Sequence, residues 1–300
     1  MAKKKFYRPL LVWFFLAVRG FFMLFPFSVG FAFGGFIGRL CYHLLTKERQ
    51  KMHRHLKLAF PEKSDEEIQK IAKANFEHYG QTLAELSLID KILPHINDIV
   101  RTTGFHHFPD AYKNEGAIVL VAHFGNWELM AGYGTANGHP MTVIAREIYY
   151  EKYNQLLVGL RNKLGVKTIY RDNSPKEMLR AFKQSKVLVI VGDQDVEDLD
   201  GVMVDFFGRP AHTPVAPVRF AQVTGASIVP AFLIREGRKH HLVVEPPIRV
   251  PKESNTPEDI KRFTQQWVSL QEKYIRQYPH LWVWNHKRWK TAERLMKGES

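Results

Sequence analysis

Twelve residues decide the fold: Ala-Ile-Val-Leu-Val-Ala-His-Phe-Gly-Asn-Trp-Glu, residues 117–128. The six small or apolar residues at 117–122 form a short uninterrupted run, which is typical of a strand buried on both faces. His123 would then lie at the carboxyl end of that strand, the edge at which open α/β sheets place their chemistry. Gly125 permits a sharp turn, and Asn126 can cap a helix that begins after it.

Downstream of this stretch, short apolar runs alternate with helical patterns. The apolar runs lie at 142–145, 166–170, 187–191, 228–234 and 242–245. The helical patterns lie at about 127–137, 149–164, 175–184 and 214–224, and the last of them begins at Thr213-Pro214. Strands that alternate with helices predict an α/β fold with a mostly parallel, mixed sheet flanked by helices.

Two further helices frame this region. Ser64 and Glu67 have the spacing of a capping box and start an amphipathic pattern over 64–90. Thr256-Pro257 combines a cap residue with a proline in the first turn, which is a typical helix start. Both helices are interpreted as structural.

The N-terminal segment is strongly apolar. Residues 10–38 contain a single charged side chain, Arg19, and the run is long enough to cross a bilayer core. We therefore predict an N-terminal membrane helix, within an anchor and basic flank over 1–45 that precede a single α/β domain over 46–300. Two alternatives remain: a segment in the membrane interface, because Arg19, Pro26 and five glycines interrupt the run, and a buried core helix.

The charge balance points to anionic partners. Lys and Arg number 43 against 30 for Asp and Glu, so the formal net charge is +13. A balance this basic favours nucleic acid, an anionic membrane surface or an acidic ligand. Cys41 is the single cysteine, which excludes an intrachain disulfide and fits a reducing compartment.

The C-terminal stretch His-Leu-Trp-Val-Trp-Asn-His-Lys-Arg-Trp-Lys, residues 280–290, mixes tryptophan with basic side chains. This composition is found at membrane interfaces and on single-stranded nucleic-acid platforms. A packed aromatic segment with a solvated basic edge is the third interpretation. Beside an apolar N-terminus, the membrane interpretation is preferred to the nucleic-acid one.

His123 and Glu128 are the first candidates for chemistry. On one continuous helix, positions five apart differ by about 140° around the axis and would not meet. If a strand end, a turn and a helix start lie between them, the two side chains can meet. A glutamate that holds one ring N–H would leave the other nitrogen as a general base, and the amides of the turn could stabilise an oxyanion. The alternative is a surface histidine with an unrelated glutamate in the first turn of the helix, a position that the helix dipole favours for negative charge.

Other chemistry finds less support in the sequence. His-x4-Glu is not the His-Glu-x-x-His pattern of zinc hydrolases. The acidic run at 193–200 lacks the glycine and distal glutamate of a calcium loop, so a solvated loop is the preferred interpretation and no metal is predicted. The sequence contains no serine elbow, no P-loop and no dinucleotide-binding glycine pattern.

Five ordered blocks resemble one family. His-Phe-Gly-Asn-Trp-Glu at 123–128 resembles the His-x4-Asp/Glu box of the glycerolipid-type acyltransferases. The other blocks are Val-Ile-Ala-Arg-Glu at 143–147, Gly-Asp-Gln-Asp at 192–195, Asp-Phe-Phe-Gly-Arg-Pro-Ala-His-Thr-Pro at 205–214 and the ending around 278–290. Together they resemble the bacterial lipid A biosynthesis acyltransferases, the lauroyl and myristoyl transferases of lipopolysaccharide assembly.

This resemblance implies a glycerolipid acyltransferase-like fold and a reaction. An acyl chain would pass from acyl carrier protein to a hydroxyl of a lipid A precursor, at the cytoplasmic face of the bacterial inner membrane. No acyl-enzyme, cofactor or nucleic acid would take part. His123 would be the base, and Glu128 would orient and charge it. Arg146 would bind the donor or stabilise developing charge, and Asp193 and Asp195 would hold the loop of the site or pair with Arg146. The other implied substrate-binding residues are Gly125, Asn126, Phe207 and Arg209.

Three alternatives stay open at this point. The acceptor could be another glycolipid, a phospholipid or an aminolipid. A hydrolase could use the same histidine and glutamate on a lipid ester. A protein of another class would use the basic aromatic tail to bind a membrane surface or nucleic acid without catalysis.

Overall fold

The computed structural model describes residues 8–113, 115–171 and 175–298. Its α-helices are α1 Arg8–Met23, α2 Phe27–Leu44, α3 Thr46–Ala59, α4 Asp65–Ser87, α5 Ile89–Ile92, α6 Ile96–Ile99, α7 His107–Lys113, α8 Trp127–Ala136, α9 Glu151–Lys163, α10 Pro175–Ser185, α11 Ala216–Thr224, α12 Pro257–Gln277 and α13 Lys290–Met296. The strands are β1 Val100–Thr103, β2 Ala117–Val121, β3 Thr142–Ala145, β4 Lys167–Tyr170, β5 Val187–Val191, β6 Gly201–Phe206, β7 Arg209–Pro214, β8 Ser227–Glu236 and β9 Lys239–Val244.

Seven strands form one sheet in the order β1-β9-β8-β2-β5-β3-β4. Every neighbouring pair is parallel except β8 and β9, which form an antiparallel hairpin. The mostly parallel, mixed sheet with helices on its faces is therefore confirmed. The strand at 117–122 lies near its centre between β8 and β5, which explains why all five residues of β2 are buried.

Each face of β2 packs against a different layer, because successive side chains of a strand point to opposite sides. Ile118 and Leu120 belong to a core that includes Trp267 of α12. Val119 and Val121 belong to a second core with side chains of α8 and of the segment before β1. The last residues of β2 are thus held from both sides, and the chain that leaves the strand at 122 starts from a rigid support.

The predicted N-terminal membrane-spanning helix is wrong. Within the described residues, no helix is long and apolar enough to span a membrane. The apolar run is divided between α1 and α2, which begins directly after Pro26. Glycines also have a packing role here. A Cβ on Gly34 or Gly38 would overlap the backbone of α4, and a Cβ on Gly80 would overlap the backbone of α2.

Two regions after β5 differ from the prediction. Thr213-Pro214 was expected to start a helix but ends β7, and α11 begins at Ala216. The strands β6 and β7 form an antiparallel hairpin that was missed. Its two-residue loop, Phe207-Gly208, has positive φ angles of 58° and 70°. Positive φ at both positions is the requirement of a type I′ turn, which matches the twist of the strands.

The predicted starts of the two framing helices are confirmed, and the C-terminal tail follows one of its three interpretations. Ser64 and Glu67 form the capping box of α4, and the side chain of Thr256 caps α12. The tail is a packed aromatic segment: Trp282, Trp284 and Trp289 are each no more than 2% exposed. The interpretation of these three rings as membrane-interface or nucleic-acid contacts is therefore wrong.

Candidate active site

His123 and Asp193 meet where two parallel strands end. Val121 of β2 pairs with Val191 of β5, so the residues two positions later leave the sheet side by side. The Nδ1 atom of His123 lies 2.7 Å from Oδ1 of Asp193, and the backbone N–H of His123 donates to Oδ2 at 2.9 Å. An ionised carboxylate only accepts hydrogen bonds, so Nδ1 carries the proton.

Asp193 is fully buried and has three donors around it. Besides the two from His123, the indole Nε1–H of Trp282 donates to Oδ2 at 2.8 Å. Burial acts to raise the pKa of Asp193, but the positive charge of the imidazole and these hydrogen bonds outweigh it, and the pKa lies below the ordinary value of 3.8. Asp193 therefore stays ionised and fixes the ring of His123.

The second ring nitrogen of His123, Nε2, is not held by a carboxylate. The side chain of His123 is 24% exposed. The amide nitrogen of Gln194 lies 3.5 Å from Nε2, and the ring of Trp127 packs edge-on with 4.9 Å between centroids. Burial acts to lower the pKa of His123, but the charge and hydrogen bond of Asp193 outweigh it, and the pKa is raised above 6.5. The ring is therefore equipped to accept a proton at Nε2.

The turn after His123 has the geometry expected from its sequence. Gly125 has a φ of +62°, and a Cβ at this position would overlap the carbonyl oxygen of Leu233. The side chain of Asn126 accepts a hydrogen bond from the backbone N–H of Leu129 at 3.1 Å and so caps α8. Both predictions, a sharp turn and a helix cap, are confirmed.

The amides of this turn divide into two groups. The N–H of Phe124 donates to Ala122 and that of Gly125 to Leu281. The N–H groups of Trp127 and Glu128, in the first turn of α8, have no hydrogen-bond partner among the described residues. Free amides at a helix N-terminus favour negative charge. The oxyanion donors expected from the turn would therefore be the N–H groups of Trp127 and Glu128.

The hydrogen-bond partner of His123 is Asp193 and not Glu128, which corrects the expected pairing. Glu128 lies in the first turn of α8, and its carboxylate accepts two hydrogen bonds from Arg161 of α9, at 2.6 and 2.9 Å. Both side chains are at least nine-tenths buried. Glu128 acts on His123 only through its charge, the smallest of the influences that raise the histidine pKa.

A second buried network holds the cap of α8. Glu85 of α4 accepts a hydrogen bond from the amide of Asn126 at 2.9 Å and a bidentate pair from Arg235 of β8 at 2.5 and 2.7 Å. His240 of β9 also contacts Glu85, at 2.9 Å. Burial acts to raise the pKa of Glu85, but the charges of Arg235 and His240 lower it far below its ordinary range. The turn is thus tied to α4, β8 and β9.

Comparisons with known proteins identify the family of the chain. A family model described as bacterial lipid A biosynthesis acyltransferase matches residues 2–291. The chain belongs to this family. It is 27% identical to the lipid A biosynthesis lauroyltransferase of Escherichia coli strain K12 over 94% of this chain and 92% of that protein. The myristoyltransferase of the same strain is 23% identical over 86% and 80% of the two chains.

Relatives with another acceptor in their name also match. The phosphatidylinositol mannoside acyltransferase of Mycobacterium tuberculosis strain H37Rv is 28% identical over 58% of this chain and 54% of that protein. All of these proteins are acyltransferases by name, and membership of the family makes this chain an acyltransferase as well.

The remaining residues implied by the resemblance are spread over two regions. Arg146 is exposed in the loop after β3. Since Ile144 pairs with Ile190 of β5, Arg146 leaves the sheet at the same edge as Asp193. His123 lies two strands away from β3, which corresponds to about 10 Å between backbones. Arg146 is thus on the same edge of the sheet as His123 and Asp193.

Asp195 supports the tail. It is buried, and it accepts hydrogen bonds from the backbone N–H and hydroxyl of Thr291 at 2.7 and 2.6 Å. The expected pairing of Asp193 or Asp195 with Arg146 is not found among the described residues, and the solvated loop expected here has both carboxylates buried. The described residues also hold no cluster of three or more potential metal ligands.

Phe207 and Arg209 lie at the β6–β7 hairpin. Phe207 is buried, and its ring packs against the rings of Phe60 and Trp284. Arg209 is half-buried at the start of β7. A chain of aromatic contacts leads from this hairpin to the site, because Phe206 packs against Trp282 at 5.6 Å between centroids. Among the described residues, Phe207 and Arg209 themselves do not contact His123, and the hairpin is connected to the site through the neighbouring ring of Phe206.

Replacement of Arg161 by methionine should destabilise the protein. The change would leave the carboxylate of Glu128 buried without its cation, which costs roughly 3–5 kcal/mol when one partner of a buried pair is removed. Chemical denaturation followed by circular dichroism would measure the loss. Arg219→Met is a matched control, because its pair with Asp200 is solvent-exposed, and its midpoint should change little. Equal midpoints for the two variants would contradict a structural role for the buried pair.

Proposed function

We propose that this protein transfers a fatty acyl chain from acyl carrier protein to a hydroxyl of a lipid A precursor or a related glycolipid. The observation that carries the proposal is the pair of His123 and Asp193 at the strand edge, with the side chain of His123 24% exposed, in a chain of an acyltransferase family. The formal charge of +13 supports anionic substrates and an acidic carrier protein.

In the proposed reaction, Nε2 of His123 takes the proton of the acceptor hydroxyl as the oxygen attacks the thioester carbonyl. The carbonyl carbon becomes tetrahedral, and its oxygen carries a negative charge that the free amides of Trp127 and Glu128 can stabilise. The intermediate collapses, the carbon–sulfur bond breaks, and the imidazolium returns its proton to the leaving thiolate. No acyl-enzyme forms in this scheme.

The other residues would act around this step. Asp193 holds the imidazole in the tautomer that leaves Nε2 unprotonated and stabilises the imidazolium. Glu128 and Arg161 would fix the first turn of α8, where the oxyanion donors lie. Arg146, on the same edge of the sheet, would meet the phosphate or thioester end of the donor as a charged contact.

The proposal puts the reaction at the cytoplasmic face of a bacterial inner membrane. The support is the lipid acceptor together with the apolar side chains that α1, α2 and the turn between them leave in contact with solvent. Trp13, Leu24, Phe36 and Leu44 are between 53% and 78% exposed. Large apolar patches of this kind mark surfaces that contact lipid or other proteins.

A transfer assay tests the proposed function. The full chain would be incubated with acyl carrier protein loaded with fatty acids of several lengths and, in separate reactions, with a lipid A precursor, a lysophospholipid or a mannosylated phosphatidylinositol. Mass spectrometry should detect one added acyl group on the lipid A precursor. Transfer only to the mannosylated phosphatidylinositol would identify a related glycolipid as the acceptor, and transfer only to the lysophospholipid would contradict the proposed acceptor. Fatty acid released without any acceptor would favour a hydrolase that uses the same histidine.

A further inference from the structure

A basic pocket of about 120 Å³ lies between α3 and the C-terminal tail. It is lined by three cations, one carboxylate and two rings: Arg54, Lys287, Lys290, Glu293, His55 and Trp289. Burial lowers the pKa of His55, which keeps its ring neutral. The lining therefore has a net charge of +2. Pockets that enclose a whole drug-sized ligand measure roughly 300–1,000 Å³, so this smaller one suits a single anionic group.

Two of the three cations have no counter-charge in direct contact. Lys290 donates to the carboxylate of Glu197 at 2.7 Å. The side chains of Arg54 and Lys287, in contrast, make no hydrogen bond or ion pair with any residue that the structure describes. Arginine binds phosphate through a planar fork of donors, and lysine binds it as a compact point charge. The pocket thus offers both kinds of phosphate donor in an unpaired state.

The two rings of the pocket are held in place by packing and a hydrogen bond. His55 and Trp289 are both buried, and their rings meet edge-on with 6.3 Å between centroids. The Nδ1–H group of His55 donates to the backbone carbonyl of Trp284 at 2.7 Å, which fixes α3 against the tail. A pocket whose walls are ordered before binding loses less conformational entropy when an ion binds.

The basic pocket is connected to the strand edge that carries the candidate active site. Lys287 directly follows His286, whose Nε2 accepts a hydrogen bond from the backbone N–H of Asp195 at 3.0 Å. Asp195 comes two residues after Asp193, the partner of His123. The charges of Asp193 and His123 both act on the pKa of His286, because these side chains lie near it. An anion in the pocket would therefore be held in a fixed position beside the reactive histidine.

We propose that this basic pocket binds a phosphomonoester group of the acceptor lipid while the acceptor hydroxyl lies at His123. This inference rests on the proposed function, since it names a chemical feature of the acceptor in that reaction. A phosphomonoester carries a charge of about −1.5 to −2 at pH 7 and three strong acceptor oxygens, which matches the net charge of +2 of the lining. A phosphodiester, such as the one in the prosthetic group of acyl carrier protein, carries a single negative charge and matches it less well.

The kinetic test uses the double variant Arg54→Ala/Lys287→Ala of the full-length protein. The matched control is Arg180→Ala/Lys183→Ala, which removes one arginine and one lysine that are exposed on α10, outside the pocket. With a phosphorylated acceptor, the KM of the pocket variant should rise by about tenfold or more, the effect of losing a charge-assisted hydrogen bond. Its kcat should stay unchanged, because a contact remote from the reacting atoms is equal in the ground state and the transition state. The control should keep both wild-type values.

The same acceptor after treatment with a phosphatase makes the test specific for the phosphate. With this substrate, the wild-type protein, the pocket variant and the control should have the same KM. A defect of the pocket variant that persists without the phosphate would overturn the inference, and so would a KM that rises for the donor instead of the acceptor. Weaker binding of the pocket variant than of the control to phosphatidylglycerol vesicles would assign the pocket to membrane headgroups and overturn it as well. Thermal unfolding by circular dichroism would verify that each variant is folded.

A binding measurement separates this inference from the proposed function. Glucosamine 1-phosphate would be titrated with the full-length wild-type protein, the pocket variant, the control and Glu293→Gln, and the broadening of its ³¹P NMR signal would be followed. The pocket variant should bind about tenfold more weakly than the control. Glu293→Gln removes the carboxylate of the lining and should bind about threefold more tightly.

This pattern supports the basic pocket even if the wild-type protein acylates no acceptor, in which case the proposed reaction fails and the phosphate site stands. Equal broadening by the wild-type protein and the pocket variant contradicts the phosphate site, whatever the outcome of the transfer assay.

Discussion

His123→Ala should lower kcat/KM for acyl transfer by about 10²- to 10⁴-fold, the usual contribution of a general base. The expectation follows from geometry. The imidazole is held through Nδ1 by Asp193 at 2.7 Å, and Nε2 is the nitrogen that this carboxylate leaves unprotonated in a side chain that is 24% exposed. Alanine removes the proton acceptor and leaves the strand, the turn and the helix cap in place. The loss should fall mainly on kcat, because proton transfer belongs to the transition state.

A surface histidine provides the control for this experiment. The side chain of His95 is 70% exposed and pairs with Asp98, so His95→Ala should retain the wild-type rate. Circular dichroism spectra and unfolding midpoints would be compared for both variants. A folded His123→Ala protein with wild-type kcat would remove His123 from the mechanism and leave the free amides of α8 as the remaining candidate machinery.

The central part of the fold can be predicted from sequence because its signals are local. The apolar run at 117–122, the glycine at Gly125 and the cap at Asn126 each determine the backbone within a few residues, and each has the predicted structure. The alternation of strands and helices downstream fixes a parallel sheet for the same reason. His123 at a strand end follows directly from this local pattern.

The partner of His123 could not be predicted in the same way. Asp193 is 70 residues further along the chain, and its position depends on which strands are neighbours. The order β2-β5-β3 places β5 beside β2, although β3 comes earlier in sequence. The family resemblance includes Asp193, but it implies that Asp193 pairs with Arg146 or holds the loop of the site. Arg161 carries no sequence signal that distinguishes it from other basic residues of α9.

The length and hydrophobicity of the N-terminal run predict a membrane-spanning helix, although the run contains five glycines. Its glycines recur at Gly30, Gly34 and Gly38, a spacing of four that puts them on one face of a helix. Such a face allows another helix to approach closely, and Gly80 of α4 lies against it. The apolar segment therefore packs against another helix of the protein. The regular spacing of its small residues is the sequence signal that distinguishes such a packed helix from a membrane-spanning one.

Asp193→Asn should lower kcat/KM about as severely as loss of the histidine, by about 10²- to 10⁴-fold. Oδ2 of Asp193 accepts from the backbone of His123 and from Trp282, and Oδ1 contacts the ring. In the variant, the amide oxygen can keep the first two donors, which turns the NH₂ group toward Nδ1. The proton of the neutral imidazole then moves to Nε2, so the nitrogen that faces the substrate can no longer act as a base.

The pH dependence distinguishes this effect from a general loss of structure. A base must be neutral, so the rate should rise as the pH rises through the pKa of His123, which Asp193 holds above 6.5. Without that carboxylate the pKa falls, and the residual activity of Asp193→Asn should rise at a lower pH. Asp195→Asn, which affects the contact with Thr291, should leave this inflection in its wild-type position. An unshifted inflection in Asp193→Asn would contradict the assignment of the titrating group.

The free energy of unfolding should also depend on pH through the charges of Asp193 and His123. The lowered pKa of Asp193 contributes stability above the ordinary carboxyl value of 3.8, and this contribution is lost as the pH falls through the folded-state pKa. The raised pKa of His123 contributes stability below 6.5, and this is lost as the pH rises through its folded-state pKa. The difference in unfolding free energy between wild type and Asp193→Asn should therefore be largest between these two values and shrink on either side. A difference that is the same at every pH would mean that the carboxylate stabilises the fold without the charge of His123.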